Sequence, residues 1–185
     1  MKGFAWIGAA AVAIGMAGTA SAGVLDHSYR RLAGQEQVNL AETYRGQVVL
    51  IVNTASKCGL TPQYEGLEAM HQKYAAKGFA VLGFPSNDFM GQEPGSEQQI
   101  QEFCTLTYGV KFPMFEKVVV RGAQATPLYR DLARAAGEQP KWNLHKYLVG
   151  RDGMVVASFG SRVAPDDPDL VKALEEALAA PAPAT

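Results

Sequence analysis

The alternation of apolar and polar positions along the chain predicts strands and helices in turn. Gln47 to Asn53 and Phe79 to Phe84 are continuous apolar runs, which are typical of strands buried on both faces. Between them, apolar side chains recur at helical spacing, and Thr61 and Pro62 stand where a helix N-cap and first helical residue are expected. The helical positions are Leu60, Tyr64, Leu67, His71 and Tyr74.

Further elements flank this unit on both sides. Ser28 to Leu32 and Gln37 to Leu40 predict an N-terminal β-hairpin. Ser96-Glu97-Gln98-Gln99 is a capping box that opens a helix. Ile100, Phe103 and Cys104 lie on one face of that helix. The elements predicted after it are a strand from Phe115 to Val120, a helix after Pro127, and strands from Leu144 to Val149 and from Met154 to Phe159. A final helix begins at Asp167-Pro168, with Leu170, Leu174 and Leu178 as its buried stripe.

The order of these elements predicts the fold class. Strands that alternate with helices, followed by a closing hairpin and helix, indicate an α/β fold with a mixed central sheet flanked by helices. The strand–helix–strand unit from Gln47 to Phe84 is the opening unit of a thioredoxin-like fold, in which the reactive residue lies between the first strand and the first helix. Cys58 occupies that position.

The first 22 residues predict a secretory signal peptide. Lys2 precedes an apolar stretch from Phe4 to Ala17, and Ala20-Ser21-Ala22 is an A-x-A cleavage signal. A retained membrane anchor is the alternative. We expect cleavage after Ala22, a location in the periplasm or outside the cell, a single domain over residues 23–180, and a disordered tail over residues 181–185.

Charge and motifs exclude several function classes. The formal net charge is −1, and no run of Lys and Arg suggests nucleic acid as a partner. After the signal, no apolar stretch is long enough to span a bilayer, so no stable membrane contact is expected. The chain lacks C-x-x-C, a P-loop and G-x-G-x-x-G, and its three histidines are scattered, so we expect neither a cofactor nor a metal.

Cys58 is the stronger candidate for chemistry among the two cysteines. The N–H groups at a helix N-terminus stabilise a negatively charged sulfur, and Lys57 adds a positive charge beside it. An unreactive buried cysteine is the alternative. A thiolate that attacks a peroxide expels hydroxide or alkoxide, and large accelerations need fixed donors aimed at that developing charge.

The chain offers three such donors in two loops. Gln92 lies in the turn-rich stretch ahead of the capped helix, and Trp142 and Asn143 precede a predicted strand. Amide NH₂ groups and the indole N–H can donate. From the residues alone, the alternative interpretations are a loop amide for Gln92, a core aromatic for Trp142 and a turn residue for Asn143, and the chemistry by itself does not favour the donor role over them.

Three sequence blocks resemble the signatures of the glutathione peroxidase family. They are N-T-A-S-K-C-G-L-T-P-Q-Y-E-G-L (residues 53–67), G-F-P-S-N-D-F-M-G-Q-E-P-G (residues 83–95) and K-W-N-L-H-K-Y-L-V (residues 141–149). The resemblance implies a thioredoxin-like fold and reduction of hydrogen peroxide or organic hydroperoxides. It also implies a catalytic tetrad of Cys58, Gln92, Trp142 and Asn143, in which cysteine replaces the selenocysteine of some members.

The chain departs from the usual family pattern in the second block. Ser86 and Asp88 stand where a Cys and a Gln are common, which leaves Cys104 as the other thiol. Its surroundings, F-C-T-L-T-Y-G-V, resemble the resolving-cysteine segment of thioredoxin-dependent members, although a core cysteine is the alternative. The short stretch from Arg121 to Lys141 resembles compact members, so we expect a monomer or a weak dimer.

Three functions therefore stay open. The first is a thiol peroxidase that forms a Cys58 sulfenic acid, resolves it with Cys104 and is recycled by a thioredoxin-like protein or by glutathione. The second is an exported thiol-disulfide oxidoreductase, against which the missing C-x-x-C argues. The third is a non-enzymatic redox sensor in which the two cysteines form a structural disulfide.

Overall fold

A four-stranded mixed sheet lies at the centre of the computed structural model, which describes residues 23–184. The predicted signal peptide and Thr185 lie outside the described residues. In chain order the elements are β1 (Ser28–Arg30), β2 (Gln37–Asn39), α1 (Leu40–Thr43), β3 (Val48–Thr54), α2 (Gln63–Tyr74), β4 (Phe79–Pro85), α3 (Glu97–Tyr108), α4 (Pro127–Ala136), β5 (Lys146–Val149), β6 (Val155–Phe159) and α5 (Pro168–Ala179), with 3₁₀ turns at Gly23–Leu25 and Ala75–Lys77.

The spatial order of the strands is β4-β3-β5-β6. β3 and β4 are parallel, with Val48 opposite Phe79 and Thr54 opposite Pro85. β5 is antiparallel to β3, and β6 is antiparallel to β5. The prediction of a mixed α/β sheet is therefore confirmed. Because β3 is an inner strand, the chain leaves the sheet near its middle at the carboxyl end of β3. The loop that carries Cys58 begins there.

Both faces of the sheet are buried, as the apolar runs predict. Every residue of β3 and β4 is buried. Val49 and Ile51 face a core layer that contains the N-terminal hairpin and α4. Val48, Leu50 and Val52 face the opposite layer, which contains α2, α3 and α5. This alternation follows from the two-residue period of a strand.

The predicted N-terminal hairpin is present. β1 and β2 pair in antiparallel register, with Tyr29 opposite Val38. The Tyr29 ring packs edge-on against Phe84 of β4, with 5.3 Å between ring centroids. The hairpin therefore covers one face of the sheet rather than extending it.

The prediction of a strand from Phe115 to Val120 is wrong. The segment runs beside β4 and makes only isolated bridges near its start. Phe115 and Val118 N–H donate to backbone carbonyls of β4, each over 2.9 Å. Two other amides of the segment donate to carboxylates instead: Lys117 N–H to Glu97 and Val120 N–H to Asp88, over 3.3 and 2.7 Å. These side-chain acceptors prevent a continuous pairing.

The start of the first long helix also differs from the prediction. α2 begins at Gln63, its N-cap is Pro62, and no side chain caps it. Thr61 instead turns its hydroxyl toward the preceding loop. The helices after Ser96 and Asp167 do begin with the predicted caps, and Ser96 and Gln99 form the complete capping box.

Within residues 23–184, none of the helices combines the length and apolar character that crossing a bilayer requires. The predicted tail, as far as it is described, has no helix or strand and is exposed.

Candidate active site

Cys58 lies half-buried in the loop that joins β3 to α2. The loop winds as a series of tight turns: Thr61 N–H donates to the Cys58 carbonyl and Tyr64 N–H donates to the Thr61 carbonyl, each over 3.0 Å. Leu60 N–H points at the Cys58 sulfur over 3.4 Å. A backbone donor is therefore in place for negative charge on that sulfur.

Thr61 fixes the backbone of Cys58. Its hydroxyl accepts a hydrogen bond from the Cys58 N–H over 3.0 Å and donates one to the Ala55 carbonyl over 2.7 Å. Thr61 is almost fully buried. Thr61, which the sequence predicts as a helix cap, thus connects the start of the loop at Ala55 with the backbone of Cys58.

Replacing Thr61 with valine should lower the free energy of unfolding by about 1–3 kcal/mol. The substitution leaves the buried Ala55 carbonyl without a donor and the Cys58 N–H without an acceptor. Urea denaturation of the purified protein measures the change. Thr61→Ser keeps the hydroxyl and is the matched control. A valine variant as stable as the wild type would show that the two bonds contribute nothing.

The second and third sequence blocks meet at two amides. Asn143 Nδ2 donates to Gln92 Oε1 over 2.8 Å. Because this bond uses the oxygen of Gln92, its NH₂ group remains free to donate to another molecule. Lys57 N–H donates to the Gln92 carbonyl over 3.0 Å, which ties the loop of Gln92 to the residue next to Cys58.

The turn that carries Trp142 and Asn143 is held by Asn53 of β3. Asn53 Nδ2 donates to the Trp142 carbonyl over 3.0 Å, and the Asn53 carbonyl accepts from Leu144 N–H over 2.7 Å. The Trp142 ring is half-buried and packs against Phe89, with 5.6 Å between ring centroids. Asn53 therefore positions the turn although its own side chain is fully buried.

Residues in the left-handed backbone conformation lie next to Gln92 and Asn143. Leu144, directly after Asn143, has φ 62°, and Met90 and Gly91, directly before Gln92, have φ 53° and 63°. Non-glycine residues adopt this region at a cost, which surrounding contacts must offset. Leu144 bonds to β3 through its N–H, but its left-handed conformation interrupts the regular ladder, and β5 begins at Lys146 rather than at the predicted Leu144.

Cys104 lies on the buried face of α3, as its spacing predicts, and is 3% exposed. Burial raises the pKa of its thiol to about 11, and the Glu93 carboxyl adds to this, while the nearby Tyr64 hydroxyl lowers it. The thiol is therefore protonated and a poor nucleophile while α3 is intact. The structure does not bring it together with Cys58, and both cysteines are free thiols.

The two departures in the second block have structural roles. Ser86 is buried beneath the loop, and its N–H donates to the Thr54 carbonyl over 3.0 Å. Asp88 accepts the Val120 N–H over 2.7 Å. Neither residue displaces Gln92 from its contact with Asn143.

Glu93 is a residue of this region that the sequence reasoning passed over. It directly follows Gln92, is 1% exposed, and neither of its carboxylate oxygens has a hydrogen-bond partner among residues 23–184. Burial raises the pKa of the carboxyl to about 6, against the lowering effects of Ser56, Lys117 and Lys57. Its position inside the block G-Q-E-P-G was the available signal.

Metal binding finds no support in the described part of the chain, where no group of three or more His, Cys, Asp or Glu side chains could hold an ion. His27 instead pairs with Asp131 over 2.8 Å, and His145 contacts the Ser158 hydroxyl over 2.9 Å.

Comparison with known proteins agrees with this geometry. The family model described as Glutathione peroxidase matches residues 24–133. The chain belongs to the glutathione peroxidase family. The thioredoxin/glutathione peroxidase BtuE of Escherichia coli is 44% identical over 167 residues, which cover 77% of this chain and 91% of that protein. The family is one of peroxidases, and this chain is therefore an oxidoreductase that acts on peroxide.

Solved structures agree with the predicted fold. The crystal structure of Trgpx in its apo form has a TM-score of 0.70 and 36% identity, and covers 87% of this chain and 98% of its own. A thiol:disulfide interchange protein of the thioredoxin family from Chlorobium tepidum has a TM-score of 0.62 at 15% identity, over 82% and 92% of the two chains. The second likeness concerns the fold alone. The prediction of a thioredoxin-like fold is confirmed.

Proposed function

We propose that this glutathione peroxidase family member reduces hydrogen peroxide and organic hydroperoxides with Cys58 as the nucleophile. The Cys58 thiolate attacks the terminal peroxide oxygen, the O–O bond breaks, and a sulfenic acid forms on Cys58. The alkoxide or hydroxide that leaves takes a proton and departs as alcohol or water. The hydrogen bond between Asn143 and Gln92, beside the Cys58 loop, is the observation that carries this proposal.

In this proposal Gln92, Trp142 and Asn143 stabilise the reacting oxygens. Ionising the thiol gains little by itself, because a free thiol of pKa ~8.5 is already a few per cent ionised at pH 7. Donors fixed before the reaction act on charge that develops only in the transition state. The free NH₂ group of Gln92 and the held turn of Trp142 and Asn143 fit this requirement.

Cys104 is proposed to resolve the sulfenic acid by forming a disulfide with Cys58. Two sulfurs can bond only when their Cα atoms come within about 7 Å. Because Cys104 is a free thiol buried in an intact helix, we propose that α3 opens around it. The N-terminal end of α3 is anchored, because Glu97 binds the Arg30 guanidinium through two bonds of 2.8 Å. Beyond the helix, Glu68 holds the amides of Lys111 and Phe112.

The helical segment between these anchors is the part that can unwind. Three consecutive exposed residues, 105–107, follow Cys104, and Gly109 ends the helix in left-handed conformation. A cavity of about 250 Å³ adjoins Cys104 on this side. Residues 105–107 are exposed and cost little to unwind, whereas Cys104 and Tyr108 pack against the core and have to be released from it.

We propose that a thioredoxin-like protein or glutathione reduces the oxidised enzyme. This reaction takes place on the exported protein, after the signal peptide is cleaved at Ala22. Export rests on the sequence of the first 22 residues. A thiol-disulfide oxidoreductase is disfavoured, because Thr61 stands where the second cysteine of a C-x-x-C would be and its hydroxyl holds the Cys58 amide. A static structural disulfide is disfavoured because both thiols are free.

Replacing Cys104 with serine should separate the two stages of the cycle. One equivalent of peroxide should still oxidise Cys58, but turnover with a thioredoxin-type reductant should fall at least tenfold, because no disulfide forms. The trapped sulfenic acid should over-oxidise or be capped by glutathione. Mass spectrometry of peroxide-treated protein and a coupled turnover assay measure both effects.

Thr105→Ser, an exposed substitution on the same helix, is the control for changes in helix stability. Peroxide-treated wild-type protein that contains a free Cys104 and no intramolecular disulfide would contradict the resolving role. Undiminished turnover of Cys104→Ser with the thioredoxin-type reductant would contradict it as well.

A further inference from the structure

The buried carboxyl group of Glu93 takes no part in the proposed reaction of Cys58 with peroxide. The backbone around it is fixed, since its N–H donates to the Asn87 side chain and its carbonyl accepts from Lys117 Nζ, each over 2.8 Å. Both carboxylate oxygens are nevertheless buried without a hydrogen-bond partner in the part of the chain that the structure describes. Burying a carboxyl group without partners is costly, and such groups concentrate at functional sites.

Glu93 lies between the two segments that carry the cysteines. It lines a cavity of about 370 Å³. One wall of this cavity is formed by Ser56 and Lys57, directly before Cys58, and the other by Ile100 and Phe103 of α3, directly before Cys104. The cavity therefore lies between the loop of Cys58 and the helix of Cys104. A Cys104 thiol released from α3 can approach Cys58 through it and passes the Glu93 carboxyl group.

The charged and titratable groups around Glu93 come from every element packed against it. They are Lys57 of the Cys58 loop, Tyr64 of α2, Cys104 of α3 and Lys117 of the segment after α3. Burial dominates and raises the pKa of Glu93 to about 6, so the carboxyl group is mostly ionised at neutral pH. A group with a pKa near the working pH is the most effective in proton transfer.

We propose that Glu93 accepts the proton of Cys104 and returns it to the leaving hydroxide when the Cys58–Cys104 disulfide forms, an inference that rests on the proposed function. The Cys104 S–H bond breaks and its proton passes to the Glu93 carboxylate. The Cys104 sulfur then bonds to the Cys58 sulfur and the S–O bond of the sulfenic acid breaks. Glu93 returns the proton to that oxygen, so water leaves.

Electrons and protons balance without another reactant in this step. The Cys58 sulfur is reduced, the Cys104 sulfur is oxidised, and Glu93 ends in the state in which it began. The base is needed because the Cys104 thiol starts with a pKa of about 11, so little of it is ionised at neutral pH. General acid–base catalysis of this kind typically contributes about 10²–10⁴-fold.

The test is the rate of disulfide formation after a single addition of hydrogen peroxide, followed by acid quench, thiol labelling and mass spectrometry. In Glu93→Gln this rate should fall about 100-fold at pH 7. Glu102→Gln, an exposed substitution on α3, should keep the wild-type rate. The rate of Cys58 oxidation is measured in the same samples as a reference. A variant that also slows this rate has a site that is damaged in general.

The pH profile distinguishes proton transfer from a structural role. In the wild type the disulfide-forming rate should rise through pH 6 and level off once Glu93 is ionised. In Glu93→Gln the rate should be lower and should keep rising with pH without a plateau, because only ionisation of the Cys104 thiol then supplies the thiolate. A wild-type profile that is flat between pH 5 and 7 would overturn the inference even if the variant does not fold. Equal rates and profiles for the wild type and Glu93→Gln would also overturn it.

These outcomes are separate from failure of the proposed function. If peroxide does not oxidise Cys58, or if Cys58 is oxidised and never pairs with Cys104, the proposed cycle is wrong. If the disulfide forms in Glu93→Gln as fast as in the wild type, the cycle stands and the assignment of Glu93 is wrong.

Discussion

Replacing Cys58 with serine should reduce peroxide consumption to the level of the solution without enzyme, with every reductant. A serine hydroxyl is not ionised near neutral pH, and it forms no equivalent of a sulfenic acid. The loop should keep its shape, because the Cys58 N–H bond to Thr61 and the carbonyl bond from Thr61 N–H use only the backbone of Cys58. The expected loss is therefore chemical rather than structural.

The measurement is steady-state consumption of hydrogen peroxide and of an organic hydroperoxide, with glutathione and with a thioredoxin-type reductant. Cys104→Ser is the matched control, because it also removes one thiol but should still react once with peroxide. Residual activity of Cys58→Ser above a tenth of the wild type would exclude Cys58 as the nucleophile.

Much of the fold could be predicted from local sequence, because the runs at β3 and β4 are buried on both faces and need no information from distant residues. The segment from Phe115 to Val120 has equally strong strand character, and there the prediction failed. Two of its amides, those of Lys117 and Val120, bind the carboxylates of Glu97 and Asp88, which local sequence does not reveal as neighbours.

The same limit applies to the candidate site. Cys58 could be predicted from its place between a strand and a helix. The partnership of Gln92 and Asn143 spans 51 positions, so the residues alone left it open and only the resemblance suggested it. The burial of Glu93 depends on elements packed from elsewhere in the chain. The sequence of a loop does not show which of its polar residues will be buried.

Replacing Asn143 with alanine should slow the oxidation of Cys58 by peroxide about 10²–10³-fold, the usual cost of losing one fixed donor to developing charge. The substitution removes the NH₂ group and also frees the Gln92 amide, whose oxygen is held by Asn143 at 2.8 Å. The reduction of the Cys58–Cys104 disulfide should change little, because no peroxide oxygen is present in that half of the cycle.

Rapid-quench measurement of Cys58 oxidation and, separately, of disulfide reduction gives the two rates. Asn143→Asp tests the donor itself, since it nearly keeps the shape but replaces the NH₂ group with an oxygen that cannot donate when ionised, and it should be as slow as alanine. Gln98→Ala, an exposed amide on α3, is the control and should keep both wild-type rates. Because Asn143 is fully buried, thermal unfolding of each variant confirms that it is folded before its rates are compared. If Asn143→Ala slows only the reductive half, Asn143 serves the reductant, and its proposed role at the reacting oxygens is wrong.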